Sequence, residues 1–232
     1  MPNYPFLISF SGIDGSGKTQ HIILLRRFLR RQGVPYLYLH SVKDSFANRF
    51  LVKFPLLGKY VEKNSNGENE NLTNGDGESK VKRKRPSKLS IAIRVFILFL
   101  DGVFLRYRLF RSRKDYSVVI LDRYVYDKLI NLAYLRNKLD LSCCEWLIRV
   151  FPRPNIPLYL HVDPQDAIIR KGETAQGEGQ DEKYFEKKYR LFEEAKFRWK
   201  LITIDTSSLS ISEGKKKILS HFKKRFYRFL KS

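Results

Sequence analysis

Gly12-Ile-Asp-Gly-Ser-Gly-Lys-Thr19 places three glycines, a lysine and two hydroxyls within eight residues. The series satisfies G-x-x-x-x-G-K-[ST] in full, the pattern of a loop that cradles phosphates. Gly12, Gly15 and Gly17 let the backbone bend, so that its N–H groups can face phosphate oxygens. A helix starting near Lys18 would aim its positive end at the same oxygens. Lys18 would supply a mobile cation to the β and γ groups of a nucleoside triphosphate, and Thr19 a hydroxyl to Mg²⁺. The expected ATP-binding set is Gly12, Gly15, Ser16, Gly17, Lys18 and Thr19, with ATP as co-substrate and Mg²⁺ as its metal. Asp14 is unfavourable beside polyphosphate unless it faces away. It either accepts hydrogen bonds from a sugar hydroxyl of a second substrate or steadies the turn.

A second charged group is Asp122-Arg123-Tyr124. If the strand before it lies beside the strand before the glycine loop, Asp122 comes near Thr19 and joins it as a Mg²⁺ ligand. Arg123 then points into the same cleft, where a planar guanidinium suits an acceptor phosphate. A third group is Asp163-Pro-Gln-Asp-Ala-Ile-Ile-Arg-Lys171, a capped short helix ending in Arg170 and Lys171. Residues 172–180, rich in Gly, Glu and Gln, follow it and read as a lid over phosphates. The expected catalytic residues are Lys18, Arg123 and Arg170, and the expected acceptor-binding residues are Asp14 and Arg123.

These groups need a frame. Phe6–Phe10 is a short apolar run ending before glycine and reads as a buried strand. A helix follows from about Lys18 to Arg31, with Ile22, Ile23, Leu25, Phe28 and Leu29 inward and Gly33 as its stop. Further strands are expected at 36–39, 118–121, 158–162 and 201–204. The last three lead into Asp122, Asp163 and Asp205. Alternation of strands and helices predicts an α/β fold: a P-loop NTPase domain with a five-stranded parallel sheet and helices on both faces. Ligands of such sheets bind at the carboxyl ends of the strands, where all three charged groups fall.

The chain is 232 residues long and 43% apolar, which suits one domain spanning 1–232. Residues 62–88 break the pattern. They turn from Asn, Gly and Glu into a Lys-Arg run and read as a disordered insertion. Residues 89–110 are apolar, but Arg94, Asp101, Arg106 and Arg108 argue for a buried helix over a membrane span. The two cysteines, Cys143 and Cys144, are neighbours, so no disulfide framework exists and a reducing cytoplasm is expected. No signal peptide is read at the N-terminus. The net charge of +21 predicts attraction to polyanions, through the insertion or the tail. In that tail, 215–231, Ile218, Leu219, Phe222, Phe226 and Phe229 form one helical face and cations the rest. The preferred reading packs the aromatic face on the sheet; the other lays the helix on an anionic membrane or nucleic acid.

Phe10-Ser-Gly-Ile-Asp-Gly-Ser-Gly-Lys-Thr-Gln20, Val119-Ile-Leu-Asp-Arg-Tyr124 and the segment from Leu160 to Lys171 together resemble the thymidylate kinase family of nucleoside monophosphate kinases. Tyr184–Phe192 and Ile204–Ser208 add weaker support. The resemblance implies that Asp14 contacts the acceptor sugar, Arg123 the acceptor phosphate and Arg170 the transferring phosphate. It also places the stretch after Asp205 near the donor adenine and implies a homodimer. Arg-Glu-Pro, usual in the family after the second strand, is absent, and that region reads His40-Ser-Val-Lys-Asp-Ser45. The arginine of the family's central-helix Asp-Arg pair is replaced by Gly102 in Leu100-Asp-Gly-Val103. The leading expectation is ATP-dependent phosphorylation of a nucleoside monophosphate, dTMP to dTDP first. The alternatives are a kinase for a nucleoside or other small acceptor, and a nucleotide-gated protein that binds nucleic acid or membrane with little catalysis.

Overall fold

Apolar runs rich in β-branched and aromatic residues form the strands, because a strand buried on both faces needs no polar alternation. In the computed structural model β1 (Phe6–Ser11) and β3 (Val118–Asp122) are buried along their whole length. β2 (Tyr36–His40), β4 (Ile156–His161) and β5 (Ile202–Asp205) complete a parallel sheet in the order β2-β3-β1-β4-β5. The structure describes residues 4–41, 44, 88–136, 141–142, 145–172 and 182–231. Residues 62–87 of the expected insertion, 173–180 of the expected lid and both cysteines lie outside the described residues, while Lys88 and Gly172, the remaining ends of those two segments, are helical.

The expected α/β architecture with five parallel strands is therefore observed. β3 lies beside β1, with Phe10 opposite Asp122. The strand adjacency on which the Asp122 reading depended is thus present. Each expected strand is found within two residues of its expected ends.

Helices cover both faces. α1 (Lys18–Arg31) and α7 (Ile211–Leu230) pack on one, where Ile22, Leu25 and Leu29 meet Ile218, Phe222 and Phe226 over β1, β3 and β4. α3 (Val125–Leu135), α4 (Leu147–Val150), α5 (Pro164–Gly172) and α6 (Glu182–Arg198) contribute to the core on the other face, with Leu98 and Leu109 of α2 (Lys88–Ser112). The tail helix thus takes the packed reading. Phe6 meets Phe222, Phe226 and Phe229 edge to face at 5.3–5.8 Å, contacts that add to the area they bury.

Two expectations are corrected. Ile23 faces solvent at 40% exposure, because a 3.6-residue period that buries Ile22, Leu25 and Leu29 turns position 23 outward. α2 is a helix, as expected, but it is not buried. Only Leu98, Asp101, Gly102 and Leu109 are buried, and Leu89, Phe96, Val103, Tyr107 and Phe110 are exposed. Its charged residues follow the same division: Asp101 faces inward and Arg111 outward. No helix among the described residues is long and apolar enough to cross a membrane.

Candidate functional site

The sheet delivers the glycine loop from the end of β1 and Asp122-Arg123 from the end of the adjacent β3. Three glycines of the loop carry positive φ: 148° at Gly12, 83° at Gly15 and 76° at Gly17. Gly12 and Gly15 also have no room for a side chain. A Cβ on Gly12 would lie 2.6 Å from Leu160 O, and one on Gly15 would lie 2.6 Å from Ala167 O on α5. The loop is thus held between β4 and α5, and its path requires glycine sterically as well as conformationally. Gly17 is the N-cap of α1, no acidic residue stands in the first turn, and the helix N-terminus opens onto the loop.

Lys18 is buried inside this turn. Its Nζ donates to Gly12 O at 2.8 Å, Ile13 O at 2.6 Å and Ser16 Oγ at 3.2 Å. Burial and the nearby Arg123 guanidinium pull its pKa down to about 8, although Asp14, Asp127 and Asp122 oppose the fall. Asp14 forms an ion pair with Arg123 NH2. Burial alone would raise the Asp14 carboxyl, but Arg123, Lys18 and Lys188 outweigh it and hold the pKa at about 2. The Asp14 carboxylate is thus turned to Arg123. Arg123 has a φ of 61°, and its N–H donates to Phe10 O at 2.9 Å. A non-glycine residue in the left-handed region is uncommon, and here it turns the chain sharply out of β3.

The remaining expected residues fall as follows. Asp122 is buried and accepts from Tyr38 Oη at 2.7 Å, so β2 orients it. Thr19 is exposed at the first turn of α1. Among the described residues no cluster of three or more His, Cys, Asp or Glu side chains is arranged for a metal. One hydroxyl and one carboxylate still suit Mg²⁺ held chiefly by phosphate oxygens and water, because that ion keeps most of its own shell. Arg170 is half-buried on α5 and donates to Thr206 O at 2.9 Å. Thr206 in turn donates to Ser16 O at 3.4 Å and His161 O at 2.8 Å. Arg170 is thereby joined to the loop through the turn after β5. In that turn Asp205 accepts from Ser207 N at 3.0 Å and Ser208 Oγ at 2.7 Å.

Beyond Arg123 a shallow, solvent-open cleft lies between the ends of β2 and β3 and the helices α2 and α3. Sequence reasoning left most of its lining unassigned. Arg108 Nη1 pairs with Asp44 at 2.9 Å, and Lys128 Nζ pairs with Asp101 at 2.6 Å. Phe104, Tyr124 and Phe151 supply aromatic wall. The missing central-helix arginine has a steric explanation: a Cβ on Gly102 would meet Val150 Cγ1 at 2.8 Å and Phe151 Cε2 at 2.9 Å. Arg106, one turn on, donates to Val150 O at 2.5 Å and Arg149 O at 2.8 Å, which fixes α4 against α2.

Asp127 was also missed. Its buried carboxylate accepts from Tyr124 N at 2.9 Å and Gly12 N at 3.2 Å, bridging the turn after β3 to the glycine loop. An acidic residue three places after Tyr124, which the structure makes the N-cap of α3, was the available signal. Compared with known proteins, no family model matches the chain, and no curated protein matches it.

Proposed function

We propose that this chain is a P-loop kinase that transfers the γ-phosphoryl group of ATP to a small phosphorylated acceptor of the nucleoside monophosphate class, dTMP being the first candidate. One observation carries the reading. A glycine loop with a buried lysine and a cleft lined by an arginine stand at the carboxyl ends of adjacent parallel strands. Such an arrangement supports transfer between two phosphorylated substrates held in adjacent sites. The sequence resemblance to thymidylate kinases supports the same assignment.

In this reading the backbone of 12–18 and Lys18 hold the β and γ phosphates. Lys18 exchanges its carbonyl partners for phosphate oxygens, and its charge is then fully retained. Thr19 and Asp122 would hold Mg²⁺, which supplies charge neutralisation on the transferring group. Arg123, fixed by Asp14 and the Phe10 carbonyl, presents its fork to the acceptor phosphate. An oxygen of that phosphate attacks the γ phosphorus, the bond to the β-bridging oxygen breaks, and ADP leaves. Arg108 and Lys128 line the cleft together with Arg123 and would face the acceptor's remaining polar groups. Arg170 steadies the donor side through Thr206.

The cations of the cleft are already paired with Asp14, Asp44 and Asp101. This favours, as second reading, an acceptor with hydroxyls and no phosphate. A coupled ADP-release assay over a panel of monophosphates and nucleosides with Mg²⁺ decides between them. Turnover with a monophosphate is expected. Turnover with nucleosides alone would establish the second reading, and ATP binding without turnover on any acceptor would overturn both.

A further inference from the structure

All strands of a parallel sheet begin at one edge, so the connections entering them share one end of the molecule. Hydrogen bonds join these connections. Phe6 N donates to Ser117 O at 2.9 Å and Ser117 N to Pro35 O at 3.0 Å. Leu7 N donates to Asn155 Oδ1 at 2.8 Å, and Arg225 Nη1 of α7 to Asn155 O at 2.6 Å. This pole is opposite the carboxyl edge that carries Gly12, Asp14 and Arg123.

The pole is cationic. Arg30, Arg31, Arg113, Lys114, Arg153 and Lys200 are exposed at or beside strand starts. Among the described residues of the connections into β2, β3, β4 and β5, Asp115 is the one acid. On α7 the aromatic face is inward, while Lys224, Arg228 and Lys231 are exposed, and no acid follows Glu213 among the described residues. A basic residue in the last turn of a helix complements its dipole. That accounts for one or two cations per helix and leaves the connections unexplained.

Large apolar side chains project among these charges. Phe110, Phe197, Tyr227 and Leu230 stand on the last turns of α2, α6 and α7, Phe197 at 77% exposure and Leu230 at 62%. Arg113 lies 4.1 Å from the Phe110 ring centre and Lys196 4.9 Å from that of Phe197. Scattered exposed apolar residues are ordinary. Four on helix ends at one cationic pole are a pattern. Single-stranded nucleic acid is held on aromatic platforms along a groove, and both faces of this sheet are already covered by helices. Leu230 has no π face on which a base could stack. A flat anionic bilayer can engage helix ends together, cations at the headgroups and apolar tips at the acyl boundary.

We infer that this pole docks on an anionic membrane surface, leaving the glycine loop and the cleft turned to solvent. The inference is independent of which acceptor the cleft takes. Co-sedimentation of the full chain with vesicles tests it, using phosphatidylcholine alone or with about one third phosphatidylserine. The wild type is expected to sediment with the anionic vesicles at low salt and to be released at about 0.5 M salt. Combining Lys224→Gln, Arg228→Gln and Lys231→Gln should weaken binding on the order of 100-fold. Combining Phe197→Ser and Leu230→Ser should weaken it about tenfold while leaving retention on an oligonucleotide column unchanged. Circular dichroism establishes that each variant folds. Arg153→Gln with Lys200→Gln replaces the α7 set if that set does not fold. No sedimentation of the wild type would overturn the inference. So would wild-type-like binding by the charge variant, which would place the contact elsewhere in the chain. Binding indifferent to loss of Phe197 and Leu230 would also overturn it and turn attention to nucleic acid.

Discussion

The glycine loop and the cleft beside it meet at Asp14 and Arg123, yet they are assembled differently. The loop is contiguous: its glycines, Ser16 and Lys18 bond mainly to one another, and β4 and α5 only confine it. The cleft is drawn from β2, β3, α2, α3 and Phe151, and its ion pairs join residues 27 and 64 positions apart. A contiguous site tolerates little change, since each group acts on its neighbour's geometry. A dispersed site can exchange a residue from one element for a residue from another. Here a side chain at Gly102 would have to displace Val150 and Phe151, while Arg108 and Lys128 bring cations in from elsewhere.

The sharpest test of the contrast is Lys18→Ala. Loss of one preorganised cation costs roughly 3 kcal/mol or more in a transition state, so transfer should fall at least 100-fold in the ADP-release assay. Near-normal turnover would show that the loop is not the donor site.

The same lysine gives a pH signature. Its pKa in the folded chain, about 8, lies below the ordinary 10.5. In the proposed function ATP is held by the charged form, so above pH 8 binding would take up a proton and affinity should fall by up to about tenfold per pH unit. Stability of the free protein has the opposite sign. Between pH 8 and 10.5 the unfolded chain binds more protons at this residue. Its contribution to stability therefore rises with pH through that window, on the order of 3 kcal/mol in full. Titration calorimetry for ATP and thermal melts of wild type against Lys18→Met would show both trends. A pH-independent ATP affinity from pH 7 to 9.5 would contradict the buried, depressed lysine.

The cleft should respond in stability and in acceptor handling. Gly102→Ala drives a Cβ into Val150 and Phe151 and should lower stability by about 1–3 kcal/mol in a denaturant melt. An unchanged midpoint would mean that α2 and α4 are not closely packed there. Arg123→Lys keeps the charge but loses the planar fork. Acceptor kcat/KM should fall about tenfold or more, with a smaller change in ATP affinity. Equal losses in both would erase the distinction between loop and cleft. Arg108→Gln should have the smallest effect, raising acceptor KM a few-fold with the melting midpoint unchanged, because a partly exposed ion pair contributes little to stability. An unaltered KM would remove Arg108 from the acceptor site.

How much of this was legible in the sequence follows from how local each feature is. β1, the glycine loop and α1 were readable almost to the residue, because strand burial, positive φ at glycine and helical period are properties of neighbouring residues. The parallel sheet followed from the alternation of elements. Ile23 and the burial of α2 were misjudged for one reason. Apolar content alone does not say which side of a helix has something to pack against.

The sequence by itself determined that a glycine-rich loop of fixed shape stands between a strand and a helix, and that an aspartate and an arginine follow a buried strand. Tertiary structure decided that this strand is the neighbour of β1, that Asp14 turns to Arg123, and that Asp127 reaches back across 115 positions to Gly12 N. It also decided that Arg108 and Lys128 share one cleft. Backbone conformation and period act over a few residues and are written in residue type. Side-chain pairing across the chain depends on which elements the sheet brings together, and only packing of the whole core fixes that.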